Sequence, residues 1–342
     1  MDKILVCSYN NFEILAHKVK GLISHIPIGV LDSKESSANP INVNCINPAF
    51  AITKGNFIYV CCESINDGYI LTLNKTSLEI LNKVSTQGKS SCYLEIDSSG
   101  SYMININYWD SSITVHPILD NIVQEAIQKI SPSFENQIYT INDHLIDRQK
   151  TSHHHSCAFY KGDLYVPDLG TDRIDIYSYL DGNLEYKDCI ELAKKSGPRY
   201  ILFINNFLYV INELSSSVTV IDMEPFPRFI QNIKTIPDDF SCKNTCGTIK
   251  YNKTYKHIYA SNRGHNSICM FELLPNGLLK VLNIVSTYGE TPRHFDISQD
   301  NTKLYVANQD TNELVYFKIL DDNLKILKKI PYNSPNFILD MN

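Results

Sequence analysis

The sequence lacks the short motifs by which many enzymes announce their chemistry. No glycine-rich phosphate loop, nucleophile-elbow serine or paired-cysteine metal motif occurs in its 342 residues. That argues against nucleotide chemistry and serine hydrolysis. No apolar run approaches membrane-spanning length, so no membrane partner is expected. The amino terminus enters a strand directly, without the basic and apolar regions of an export signal, which predicts a cytoplasmic protein. Positive charge is in deficit: 31 Lys and Arg against 37 Asp and Glu give a net charge of −6. A broad basic surface is therefore missing and nucleic acid is not an expected partner, although a local arginine cluster could still hold a small anion. Tryptophan occurs once, in Trp109-Asp110, so the Trp-Asp signature of protein-binding propellers does not recur. The ten cysteines follow no disulfide spacing, and Cys7, Cys61 and Cys269 lie inside apolar strands, which predicts reduced core thiols.

What the chain does have is a repeat. An apolar-aromatic strand core appears seven times, as Ile4-Leu5-Val6, Ile58-Tyr59-Val60, Tyr102-Met103-Ile104, Leu164-Tyr165-Val166, Leu208-Tyr209-Val210, Ile258-Tyr259-Ala260 and Leu304-Tyr305-Val306. Successive starts lie 54, 44, 62, 44, 50 and 46 residues apart. A strand-built period near ~45 predicts an all-β, seven-bladed β-propeller with four-stranded antiparallel blades, one domain over residues 1–342. The sixth copy shows a whole blade: strands over Cys246 to Lys250, His257 to Asn262, Ser267 to Leu273 and Leu278 to Val285, with a Pro275-Asn276-Gly277 hairpin turn. Similar turns stand at Asp181-Gly182-Asn183 and Asp321-Asp322-Asn323.

A second phrase, a small residue then proline, marks the start of strand one. It reads Asn47-Pro48, Gly197-Pro198, Thr291-Pro292 and Ser334-Pro335. Proline is tolerated there because the ladder has not begun. The last copy has no further strands after it, so residues 1 to about 30 are expected to complete its blade and close the ring. Insertions are expected at about 119–150 and, smaller, near 33–46.

In a four-stranded meander, the start of strand one and the end of strand two share a face. The positions that meet there carry His155, Arg199 and Arg293, with Glu63, Asn107, Asp168, Asn212-Glu213, Asn262-Arg263 and Asn308-Gln309. Arginines, a histidine and carboxylates at one mouth predict an anion site with a proton-transfer group. The asparagines and Asp168 are also ordinary turn formers, and Glu213 with Arg263 could brace adjacent blades. In the His153-His154-His155 run, alternation lets at most His153 and His155 share a ligand set. No third ligand is suitably spaced, so no metal is expected.

Four segments together resemble the seven-bladed lactonase family, which includes propeller-type 6-phosphogluconolactonases and carboxymuconate lactonizing enzymes. They are His155-Ser156 with Leu164-Tyr165-Val166-Pro167 and Asp172-Arg173-Ile174; Gly197-Pro198-Arg199 with Asn212-Glu213-Leu214 and Ser216-Ser217-Val218; Ser261-Asn262-Arg263-Gly264-His265; and Thr291-Pro292-Arg293 with Ala307-Asn308-Gln309-Asp310. The match is strongest from 150 to 320. It departs from the family in shortened turns at Lys161-Gly162-Asp163 and Asn205-Asn206, and at Cys92-Tyr93, where a histidine often follows the cysteine.

The resemblance implies that His155, Arg199, Glu213 and Arg263 are the active-site groups. The repeat adds Arg293 as a phosphate holder, exchangeable in role with Arg263. His153, Asn212, His265 and Gln309 are further candidate substrate-binding residues. The expected activity is hydrolysis of a small anionic lactone, 6-phospho-D-glucono-1,5-lactone foremost, with no cofactor or metal. His155 would be the base, Glu213 an orienter beside arginines, and Arg199 and Arg263 the oxyanion donors. Cycloisomerisation of a carboxymuconate and a non-catalytic binding propeller are the alternative readings.

Overall fold

In the computed structural model, the described residues are 3–15, 17–32, 39–40, 45–132 and 148–342. Seven antiparallel sheets run in chain order. Two compact units share the chain: Met1–Asn10, Val19–Asn42 and Ile201–Asn342 form one, Asn11–Lys18 and Val43–Tyr200 the other. No helix among the described residues is long and apolar enough to cross a membrane.

The sixth blade has the expected strands, at Thr245–Asn252, His257–Arg263, Ser267–Leu273 and Leu279–Ser286. Strand one begins at the proline of the small-proline phrase in Pro48–Lys54, Pro198–Ile204, Pro292–Ile297 and Pro335–Asp340. The residue before each proline is left-handed: φ is 50° at Asn47, 59° at Gly197, 55° at Thr291 and 41° at Ser334. This explains the small residue, because a bulky or β-branched side chain is disfavoured there, Thr291 being the exception. Its carbonyl then accepts the N–H of the residue that ends strand two: Glu63 to Asn47 at 2.8 Å, Gln309 to Thr291 at 3.0 Å, Tyr9 to Ser334 at 3.3 Å. The third and fourth blades repeat the bond from Tyr108 to Ser90 and from Leu169 to His153. This backbone latch sets a terminal station occupied by Tyr9, Glu63, Tyr108, Leu169 and Gln309, and Glu213 and Arg263 hold the corresponding positions at the end of strand two in the fifth and sixth blades.

The tyrosines of the core phrase serve the packing between sheets. Tyr59, Tyr209, Tyr259 and Tyr305 are buried. The Tyr59 hydroxyl donates to the Asn121 carbonyl at 3.0 Å, and that of Tyr209 to the Gly277 carbonyl at 2.8 Å. In these two, the ring fills apolar space while its tip satisfies a turn carbonyl in the following blade.

The blade at the chain ends is completed as expected. Pro335–Asp340 pairs with Lys3–Ser8, with Val6 opposite Ile338 and Leu5 opposite Leu339. Ile28–Asp32 and Asn39–Pro40 follow, so the blade extends past residue 30 to residue 40. The insertion predicted near 33–46 falls largely on residues outside the described ones. Described extra length lies at 9–27, between strands two and three, where other blades use about four residues. The 119–150 insertion is part sheet rather than all loop. Ile122–Val123 and Gln128–Ile130 both pair with Ile113–Leu119, splitting the fourth strand of the third blade. The hairpin is possible because Asp120 and Asn121 both take positive φ, at 49° and 63°. Residues 133–147 of that insertion lie outside the described residues.

Closure rests on the pairing of the two chain ends over a core of Ile4, Val6, Tyr305, Leu314 and Ile338. Ile338→Ala removes a fully buried branched side chain from it. The expected loss is about 2–5 kcal/mol of unfolding free energy, read by urea denaturation.

Candidate active site

Three consecutive histidines have three different fates, set by the strand-like alternation of residues 152–155. Asp168, at the end of strand Asp163–Asp168, fixes the segment. Its Oδ1 accepts the N–H of His153 at 2.7 Å and of Gly170 at 2.9 Å, while Oδ2 accepts the Ser152 hydroxyl at 2.6 Å. A Cβ on Gly170 would lie 1.8 Å from the Thr151 carbonyl oxygen, so only glycine allows this approach.

His154 points into the blade. Its Nδ1 lies 2.8 Å from the Ser111 carbonyl and its Nε2 2.9 Å from Asp175 Oδ2. Both partners are acceptors, so both ring nitrogens donate and the ring is an imidazolium. Burial opposes that charge, but the Asp175 hydrogen bond and the Asp168 and Asp175 charges outweigh it and raise the pKa. Donor atoms of His154, Asp168 and Asp175 lie within 4.8 Å of one another, the spacing of a metal set. The geometry does not fit a metal, because His154 has no lone pair to offer and Arg173 already meets Asp175 at 2.8 Å.

His153 and His155 share the opposite face. Tyr108 stacks on the His153 ring at 4.7 Å and meets the His155 ring edge-on at 5.1 Å. His153 Nδ1 lies 3.1 Å from the Tyr108 carbonyl, and burial holds its pKa below the usual value. On its other side, His155 lies 5.6 Å from the Tyr200 ring. The Arg199 guanidinium sits 4.5 Å from the centre of that same ring, and Arg199 is buried. Tyr200 is therefore a shared platform for the imidazole and the cation. Asp172 positions Arg199 from below: its carboxylate accepts the N–H groups of Gly197 and Lys195, both at 2.7 Å, at the head of the Pro198 strand.

In the other unit, Arg263 meets Glu213 at 2.7 Å and donates to the Cys246 carbonyl at 2.5 Å. The Glu213 carbonyl accepts the Cys246 N–H at 3.0 Å. The pair thus braces the fifth and sixth blades and holds a nearly buried guanidinium in one orientation. Arg293 lies 5.4 Å over Tyr9. His265 bonds Ser267 at 2.7 Å and meets Phe240 edge-on, and burial lowers its pKa. Gln309 donates to Asp310 at 3.2 Å.

The asparagines ending strand two do not cap their own backbone two residues on. Asn107 donates to Ser112, Asn212 to Ser217 and Asn262 to Ser267, at 3.0, 3.0 and 3.1 Å. This rung ties strand two to strand three, and it commits the amide nitrogen of Asn212 to the blade. A recurring Asn with serine five residues later was the available signal.

Glu95 was not predicted. It lies on the innermost strand of the third blade, Ser91–Ile96, two residues from Tyr93. The Tyr93 ring contacts Phe50 at 4.4 Å and Tyr200 at 5.6 Å. Part of Glu95 meets solvent, yet protein encloses its carboxyl and burial pushes the pKa up to about 7.

Comparison with known proteins settles the lineage. The family described as Lactonase, 7-bladed beta-propeller matches residues 17–338. The chain belongs to the seven-bladed β-propeller lactonase family. This lactonase-family enzyme is 31% identical over 286 residues to the 6-phosphogluconolactonase of Bacillus subtilis, covering 80% of each chain. It is 33% identical over 275 residues to the 6-phosphogluconolactonase of Formosa agariphila, covering 75% of this chain and 74% of the relative. The lactonase fold is also seen in a Lactobacillus plantarum protein of known structure, at 21% identity, full coverage of both chains and a TM-score of 0.86.

Two pH effects follow. The His154 pKa is raised on folding, so its contribution is fully present below about pH 6.5 and is lost as pH rises through the folded value. His154→Leu should cost about 3–5 kcal/mol at pH 6, with a smaller deficit at pH 9, measured by urea denaturation at both pH values. Glu95 also has a raised pKa, so ionising it between about 4.5 and 7 destabilises the fold. Glu95→Gln should therefore gain up to about 3 kcal/mol at pH 8 and nothing at pH 4.

Proposed function

We propose that the protein hydrolyses 6-phospho-D-glucono-1,5-lactone to 6-phosphogluconate. The observation that carries this reading is the Tyr200 platform, which holds a buried arginine and a histidine on one ring. Opening a lactone needs a base for the attacking water and a fixed cation for the oxyanion. His155 takes a proton from water as the water oxygen bonds to C1. Arg199 answers the charge on the carbonyl oxygen. As the C1–O5 bond breaks, the imidazolium returns its proton to O5, leaving a hydroxyl and a carboxylic acid that ionises. Arg263, held by Glu213, and Arg293 are the cationic candidates of the other unit.

The two named 6-phosphogluconolactonases among the relatives support this choice of substrate. Ten unbridged cysteines support a reducing, cytoplasmic setting.

Acid release from freshly made 6-phosphogluconolactone, corrected for spontaneous opening, tests the proposal. Rapid turnover is expected in the wild type, with a loss of about a hundredfold or more in Arg199→Ala. No acceleration by the wild type would reject the substrate, and near-normal turnover in the variant would remove Arg199 from the chemistry.

A further inference from the structure

Glu63 occupies in the second blade the station that Tyr108 occupies in the third. Both residues end strand two, and both donate their N–H to the residue before strand one, Asn47 and Ser90 respectively. Tyr108 touches His153 and His155 from that station. Glu63 therefore presents a carboxylate one blade along from Tyr108 and two from the histidines that Tyr108 touches, in the same unit. Only two stations carry a carboxylate, and the other, Glu213, is matched by an arginine at 2.7 Å.

Glu63 is matched by a histidine. Residues 11–15 and 17–18 lie at this end of the second blade, clamped by Asn47, whose Oδ1 accepts the Asn11 N–H at 2.9 Å and whose Nδ2 donates to the Asn11 carbonyl at 2.6 Å. The Ile65 N–H bonds the Ile14 carbonyl at 3.0 Å. So anchored, the segment lays His17 Nδ1 3.7 Å from Glu63 Oε1. The Glu63 side chain is 4% exposed, that of His17 28%. The carboxylate is thus nearly enclosed, with a partly exposed imidazole beside it where Glu213 meets an arginine.

We infer that Glu63, with His17 beside it, recognises the ring hydroxyls of the lactone and discriminates against polycarboxylates. An ionised carboxylate only accepts hydrogen bonds, which suits vicinal hydroxyls and repels a carboxylate ligand. The inference rests on the lactone reading and deepens it: a carboxymuconate, carrying three carboxylates, would meet like charge at this station, whereas a sugar ring would donate to it. His17 is a positioning residue, holding the Glu63 carboxylate toward the mouth.

The test compares the wild type with Glu63→Ala, Glu63→Gln and His17→Ala on 6-phosphogluconolactone and on δ-valerolactone, which has no hydroxyls. Glu63→Ala should raise KM for the sugar lactone about tenfold, the cost of one lost charged hydrogen bond, with KM for δ-valerolactone moving less than twofold. Glu63→Gln should recover part of the loss, and His17→Ala should show a smaller rise of the same selectivity. Equal changes on both lactones, or none on either, would overturn the inference. If the wild type opens neither lactone, the hydrolytic reading fails by itself. Calorimetric binding of 6-phosphogluconate then decides: weaker binding to Glu63→Ala than to the wild type supports hydroxyl recognition, and equal or absent binding overturns it.

Discussion

One backbone hydrogen bond, repeated in five blades, governs where the candidate site residues stand. The N–H at the end of strand two reaches the carbonyl of the residue before strand one, and in four of the five blades where the bond is made that residue is left-handed. The left-handed turn costs on the order of 1–2 kcal/mol for a residue with a Cβ, so the structure retains it against a gradient. Its return is geometric. It brings the first residues of the innermost strand and the last residue of its neighbour to one edge, blade after blade. Arg199 follows such a turn by two residues, and Glu63 and Gln309 make the bond themselves.

Within that frame, specialisation comes from second-tier contacts that hold side chains still. His155 is aimed because its two neighbours are spent: His153 on Tyr108, and His154 as an imidazolium between Ser111 and Asp175. Arg199 is aimed because Asp172 grips the chain ahead of it and Tyr200 underlies its guanidinium. Fixed donors of this kind stabilise developing charge without having to reorganise when it appears. The buried polar groups that look costly in isolation are the means by which the reactive ones are positioned.

Much of this was legible in the residues, for reasons that can be stated. Strand cores repeat because every blade buries the same two faces, and the proline phrase repeats because every innermost strand starts the same way. Ile338 could be paired with the first strand from its position alone. The unread parts depend on partners far apart in sequence. Nothing local distinguishes Asn212 bonding Ser217 from an asparagine turning its own backbone, and nothing around Glu95 foretells that its carboxyl is enclosed by protein. The 9–27 excursion was misplaced because intervals between strand cores measure extra length without saying which loop holds it.

The Glu213–Arg263 pair shows why bracing and function need not be rival readings. A buried ion pair is a poor source of net stability, since desolvation consumes most of the Coulomb gain. It is a good way to keep a guanidinium in one orientation, because the carboxylate and the Cys246 carbonyl leave it little freedom. Glu213 is then of less use as a base, its electron pairs being directed at a cation 2.7 Å away. In the proposed reaction that leaves proton transfer to His155, whose ring meets Tyr108 and Tyr200. The division follows from what each group touches: carboxylate and arginine fix charge, and the imidazole between two tyrosines is the group able to move a proton.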